Sequence, residues 1–139
     1  MQYSRKMGID FGEQRIGIAL SDLLGMLARA HQTYQRVSLE QDIAFLASMC
    51  REQLVDTVVF GLPLQMDGTE GSIAQKVREF AAMLAPHIKA NIVFVDERLT
   101  SVEAQEILAQ SKVKWQDRKK YIDQIAAQII LQSYLERRI

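Results

Sequence analysis

The stretch Met7-Gly8-Ile9-Asp10-Phe11-Gly12-Glu13-Gln14-Arg15-Ile16-Gly17-Ile18-Ala19-Leu20-Ser21-Asp22 constrains the fold more than any other part of the chain. It reads as two β-strands, Lys6 to Phe11 and Arg15 to Ser21, joined by a tight turn. Ile16, Ile18 and Leu20 alternate with Gly17, Ala19 and Ser21, which is the period of a strand. One side of the second strand is therefore almost bare. Either a helix packs tightly over it or a ligand backbone comes close, and the residues alone leave both readings open. Asp10 sits in the middle of the first strand among apolar and glycine neighbours. Asp is depleted in strands and is seldom buried unless paired or bound to something. A carboxylate in that place calls for a cation.

The chain has 139 residues. That length suits a single domain spanning residues 1–139, with one core. Hydrophobic residues make up 48%, which predicts a folded globular domain rather than disorder. Lys+Arg and Asp+Glu both number 17. Strong non-specific attraction to nucleic acid is thus not written in the whole-chain charge, although a local basic patch remains open. Cys50 is the only cysteine, so no internal disulfide can form and a reducing, cytoplasmic setting is expected. No apolar run is long enough for a signal peptide or a membrane span.

Further along, Leu23 to Gln32 reads as a loop or wandering edge, and Thr33 to Val37 as a third strand. Ser38 and Gln41 have the spacing of a capping box, and Ile43, Leu46, Ala47, Cys50 and Leu54 follow at helical spacing. Cys50 lies on that face and reads as a buried structural thiol. Asp56 to Phe60 is a β-branched run that predicts a fourth strand, reached by a right-handed crossover. Ser72 and Gln75 form a second capping box, with Ile73, Val77, Phe80, Ala81 and Leu84 lining the helix and Pro86 closing it. Asn91 to Val95 predicts a fifth strand. Thr100 and Glu103 form a third capping box, for a helix to about Ala109. The last helix is expected from about Asp117 to Arg137, with an apolar stripe of Ile122, Ile125, Ala126, Ile129, Ile130, Ser133 and Tyr134. The fold class is α/β: three antiparallel strands followed by parallel crossovers, giving a mixed five-stranded sheet flanked by helices.

Two further acids stand out beside Asp10. Glu97 lies just past the carboxyl end of the fifth strand, where open α/β sheets bind ligands. The same Asp96-Glu97-Arg98 also reads as a solvated turn. Asp123 lies on the inward side of the last helix, next to Ala126 and Ala127. Two alanines there let a helix approach a sheet closely. Taken alone, Asp123 also reads as an acid favouring the helix dipole. Together, Asp10, Glu97 and Asp123 offer hard oxygen ligands suited to Mg²⁺ or Mn²⁺ rather than Zn²⁺. His31, His87 and Cys50 have no metal-ligand spacing.

These residues carry a resemblance. Gly8-Ile9-Asp10-Phe11-Gly12 with Arg15 to Asp22, Phe60 to Gly71, Asp96-Glu97-Arg98-Leu99-Thr100-Ser101, and Lys119-Lys120-Tyr121-Ile122-Asp123 with Ala126-Ala127 together resemble the YqgF family, also called RuvX. Four motifs in order cover nearly the whole chain. The resemblance implies an RNase H-like fold, cytoplasmic location and Mg²⁺- or Mn²⁺-dependent hydrolysis of phosphodiesters, leaving a 5′-phosphate and a 3′-hydroxyl. It implies Asp10, Glu97 and Asp123 as catalytic and metal-holding acids. The expected role is maturation of precursor 16S ribosomal RNA, with Holliday junction resolution as the alternative. Gln14 stands where the family usually has a basic residue, so one phosphate-facing charge is missing at the hairpin.

Arg15, Arg98, Lys119 and Lys120 are the candidates to meet nucleic acid, with Arg118 and Trp115 behind them. The basic run before the last helix reads equally well as a solvated loop. The expected partner is RNA, or branched DNA in the alternative, with no membrane and with the chain as a monomer or weak homodimer. Two other classes compete: a non-catalytic nucleic-acid-binding factor, and an actin-like ATPase. The ATPase architecture needs two such domains, and this length supplies one.

Overall fold

The computed structural model describes residues 3–97 and 118–137, as far as residue 120 by backbone alone. The elements are β1 (Arg5–Phe11), β2 (Arg15–Ser21), β3 (Ala28–Gln35), α1 (Leu39–Glu52), β4 (Val55–Leu62), α2 (Ser72–Leu84), β5 (Asn91–Asp96) and α3 (Arg118–Arg137). The sheet runs β3-β2-β1-β4-β5. β1 pairs antiparallel with β2, and β2 with β3. β4 lies parallel to both β1 and β5. The mixed five-stranded sheet expected from the strand pattern is what forms.

Strand alternation sorts the side chains to two faces. Met7, Ile9, Ile16, Ile18, Val58 and Phe60 pack with α1 and α2 in the larger core. Ala19, Ala28 and Val59 pack with Ala127, Ile130, Leu131 and Leu135 of α3 in the smaller one. The larger core takes bulky residues. The smaller has alanine and glycine on its sheet side, which lets α3 lie close. A β-carbon at Gly8 would stand 2.6 Å from the Ala127 carbonyl oxygen and 2.7 Å from Leu131 Cβ. A β-carbon at Gly17 would likewise run into the Asp123 carbonyl of α3, so the bare side of β2 is covered by a helix.

Several local expectations shift. β3 begins at Ala28, five residues before Thr33. Ala28 to Gln32 has no β-branched residue to announce a strand. Its pairing with β2 and the glutamines of α3 hold it in place: Gln132 accepts from the Ala28 N–H at 2.8 Å, and Gln128 donates to the Ala28 carbonyl at 3.2 Å. The Ser38 cap forms, its hydroxyl accepting from the Gln41 N–H. Ser72 is instead the first residue of α2, behind a Gly71 cap that has no side chain to bond. Ile73 is exposed and Ala74 takes its place in the core. Leu54 falls beyond α1 in a left-handed conformation, φ 57°, and is partly exposed. On α3 the fully inward residues are Ala126, Ala127, Ile130, Leu131 and Leu135. Ile122, Ile125 and Ile129 are only half-buried. The buried stripe is thus rotated from the expected one. No helix among the described residues is long and apolar enough to cross a membrane. The third capping box at Thr100 and Glu103 and the helix to Ala109 lie outside the described residues.

Candidate active site

Asp10 is next to last in β1 and opposite Gly17 of β2. It shares its face of the sheet with Gly8, which α3 covers. β5 ends at Asp96, opposite Leu62 of β4, and the Glu97 N–H donates to the Leu62 carbonyl at 3.2 Å. That bond fixes the chain just past the strand and turns Glu97 over the sheet toward Gly61. A β-carbon at Gly61 would stand 2.5 Å from Glu97 Oε2. Gly61 therefore makes room for the Glu97 carboxyl. Asp123 comes down from the other side on α3, its carbonyl oxygen directly over Gly17.

Asp10 and Glu97 are joined by a hydrogen bond. Burial raises Asp10 to about 6, and the negative charge of Asp123 adds to this, while the bond with Glu97 opposes it. Burial, then the charge and hydrogen bond of Asp10, push Glu97 up to about 8, with a smaller contribution from Asp96. The pair therefore retains a proton at neutral pH, because two adjacent, partly desolvated carboxylates cannot both ionise cheaply. Asp123 lies close enough to Asp10 to act on it electrostatically but is bonded elsewhere: Arg15 Nε donates to its Oδ2 at 2.8 Å. Among the described residues no three acidic or metal-ligating side chains are gathered tightly enough to form a ready cation cage. What the fold assembles is a half-buried, proton-sharing carboxyl pair with a third acid at its flank, held by an arginine.

Arg15, expected to face nucleic acid, is thus also the ion-pair partner of Asp123. Arg98 lies outside the described residues, as do Trp115 and the side chains of Arg118, Lys119 and Lys120. Cys50 is buried on α1, and burial raises its thiol to about 11, so it is an inert core residue.

Sequence reasoning missed the network that holds the β1–β2 turn. The Asp42 side chain is 0% exposed. It accepts from Arg36 Nε at 2.8 Å, from the Tyr34 hydroxyl at 3.0 Å and from the Val37 N–H at 3.0 Å. Arg36 in turn donates to the carbonyls of Gly12 and Glu13, both at 3.3 Å, and lies over the Phe11 ring. An acid in a first helical turn ordinarily reads as a dipole partner. Only the arginine six residues upstream hinted at more.

The family described as "RuvX: Holliday junction resolvase" matches residues 4–137. Relatives named "Putative pre-16S rRNA nuclease" include one from Syntrophomonas wolfei, 45% identical over 132 residues, covering 95% of this chain and 94% of the relative. Another, from Clostridioides difficile, is 42% identical over 135 residues, covering 97% and 96%. Among solved structures, T. thermophilus RuvC in complex with a Holliday junction substrate superposes with a TM-score of 0.61 at 12% identity, covering 98% of this chain and 96% of that one. The Fowlpox virus resolvase in complex with its substrate Holliday junction DNA gives 0.57 at 14%, covering 97% and 99%. Identities that low speak for architecture, and the architecture is RNase H-like. The matched span and the relatives' identities settle the lineage: the chain belongs to the RuvX family of nucleases, the one its four motifs resemble under the name YqgF.

Proposed function

We propose that this chain is a divalent-cation-dependent nuclease that hydrolyses phosphodiester bonds of precursor 16S ribosomal RNA, with Asp10, Glu97 and Asp123 as its catalytic and metal-holding acids. The observation that carries the reading is the half-buried, hydrogen-bonded Asp10–Glu97 pair at the carboxyl ends of β1 and β5. Such a pair is costly to keep without a cation. The donor set is all carboxylate oxygen, which fits Mg²⁺ or Mn²⁺. Bound there, the ion would supply Lewis-acid activation of the attacking water and of the phosphate.

The chain's own residues do the remaining work. Asp10 and Glu97 would hold the ion through their carboxylate oxygens, giving up the proton they share. Asp123 would supply a third carboxylate if released from Arg15. Arg15, so freed, can meet the substrate phosphate beside the acids. α3 and the sheet partly shield Asp10 and Glu97 from bulk water, which strengthens the charge interactions between them. The names of the relatives favour ribosomal RNA as substrate.

Cleavage of a structured precursor RNA in Mg²⁺, comparing the natural protein with Asp10→Asn, tests the reading. Loss of cleavage in the variant is expected, and equal activity overturns it. The description of the family favours a second substrate, the four-way DNA junction. Symmetric cleavage of a junction requires two active sites, so that reading demands a dimer in solution and paired nicks.

A further inference from the structure

Beside Asp123, α3 and the edge strand β3 enclose an open cleft of about 610 Å³. β3 supplies His31, Gln32, Thr33 and Gln35, and α3 supplies Tyr121 and Gln124. Arg15 also lines it, and through its bond to Asp123 connects it to the acids.

The pairing register places this cleft relative to the chemistry. Asp10 stands opposite Gly17, and Gly17 opposite Thr33. Strands lie ~4.8 Å apart, so Thr33 is about 10 Å from Asp10 on the same face of the sheet. β3 is also irregular here. Ile18 pairs with Gln32 but Ala19 pairs with Ala30, so His31 is an extra residue. Such a bulge bends a strand and re-aims its side chains, often next to active sites. Thr33 and Gln35 line the cleft as alternate residues of a strand do, and the extra residue places His31 there beside them.

The chemistry of the lining is that of a base site. Among the described residues it has no carboxylate. The amides of Gln35 and Gln124, the hydroxyls of Thr33 and Tyr121 and the imidazole of His31 present donors and acceptors of the kind that base edges need. The Tyr121 ring offers a stacking surface. The Thr33 hydroxyl donates to Gln124 Oε1 at 3.4 Å, which steadies that amide at the rim.

We propose that this cleft receives one unpaired nucleotide next to the scissile phosphate, its base stacked on Tyr121 and its edge met by Gln124 and Gln35. The proposal rests on the nuclease reading of the acids and adds a substrate preference to it. The enzyme selects single-stranded or splayed nucleic acid over continuous duplex, because a base inside a duplex is already stacked and paired and must be extruded first.

The test is a double-mutant cycle on binding, read by fluorescence anisotropy of a short single-stranded RNA in Ca²⁺. An abasic residue is moved along the RNA one position at a time, against the natural protein, Tyr121→Ala and Tyr121→Phe. At one position the abasic RNA is expected to bind the natural protein about tenfold more weakly. Tyr121→Ala should weaken binding of the intact RNA by the same factor, with no further loss on the abasic RNA, and Tyr121→Phe should restore it. Losses that add, or no sensitive position, overturn the proposal. Cleavage in Mg²⁺ separates the two readings. A cycle that couples without cleavage removes the nuclease reading and keeps the nucleotide site. Cleavage without coupling does the reverse.

Discussion

The backbone carbonyl of Asp123 lies against Gly17 so closely that no β-carbon fits between them. This contact sets the height of α3 above the sheet at the point where Asp123 flanks Asp10. The atoms that a new methyl group would meet are backbone, which cannot rotate away. Gly17→Ala is therefore expected to destabilise the fold by about 1–3 kcal/mol, the usual cost of overpacking. It should also lift Asp123 away from Asp10, and a shift of about 1 Å at a reacting centre costs on the order of a hundredfold in rate. Gly8→Ala meets α3 one turn further along, at Ala127 and Leu131. It should destabilise comparably with a much smaller loss of cleavage. Urea titrations and cleavage rates of the two variants check this, and equal rate losses would contradict it.

The Asp10–Glu97 pair predicts opposite effects on stability and activity. Both carboxyls are partly buried and their proton affinities raised by it, and Asp10 raises that of Glu97 further. Replacing Glu97 by Gln keeps a hydrogen-bonding group and removes the charge conflict. The expected result in chelator is a gain of about 1–3 kcal/mol, since buried charges without full compensation are costly. Cleavage should fall by about 10²- to 10⁴-fold. Mg²⁺ should raise the melting temperature of the natural protein by mass action, by about 2.7 kcal/mol in stability at a hundred times the dissociation constant. It should leave Glu97→Gln nearly unmoved. Scanning calorimetry with and without Mg²⁺ decides, and an equal rise in both proteins would place the ion elsewhere.

Much of this site is legible in the sequence, because each acid has a local signature. Asp10 interrupts an apolar strand, Glu97 follows one, and Asp123 sits beside two alanines that line up with the bare side of β2. What the sequence conceals depends on partners distant along the chain. The bulge at His31 exists because Ala19 and Ile18 pair two residues apart on β3, a matter of register with no local marker. β3 starts early because Gln128 and Gln132, about a hundred positions on, bond Ala28. Asp42 is indistinguishable locally from any first-turn acid, until Arg36 and Tyr34 are seen to converge on it. The rotation of the α3 stripe has the same origin. Its isoleucines are as apolar as Leu131 and Leu135, and only the glycine and alanine track on the sheet decides which side faces in.

Arg15 has two partners to choose between, Asp123 and a substrate phosphate. An exposed ion pair such as Arg15–Asp123 contributes little to stability, about 0–1 kcal/mol. Its loss should be felt in binding instead. Arg15→Ala is expected to weaken RNA binding at all sequences alike and to reduce the slope of log affinity against log salt by about one. Arg15→Lys should restore the slope but only part of the affinity, because a lysine lacks the planar fork. Anisotropy titrations across a salt series measure both quantities. An unchanged slope in Arg15→Ala would remove Arg15 from the phosphate contacts.

The last prediction concerns pH and rests on Asp42. Burial alone would raise its carboxyl, but hydrogen bonds from Val37, Arg36 and Tyr34, with the charge of Arg36, outweigh that and hold it below the ordinary value of 3.8. A carboxyl depressed in the folded state stabilises the fold above its unfolded value, and that contribution is lost as pH falls through the folded one. Asp42→Asn should therefore cost about 3 kcal/mol near neutrality, where it breaks a buried ion pair. The gap between variant and natural protein should stay constant from about pH 5 upward and narrow only below about pH 4. The same substitution frees Arg36 from its anchor, and with it the grip on the Gly12 and Glu13 carbonyls that steadies the turn before Arg15. Unfolding free energies across pH, with RNA affinity at neutral pH, test both halves: a gap that widens in acid would refute the first, and unchanged affinity the second.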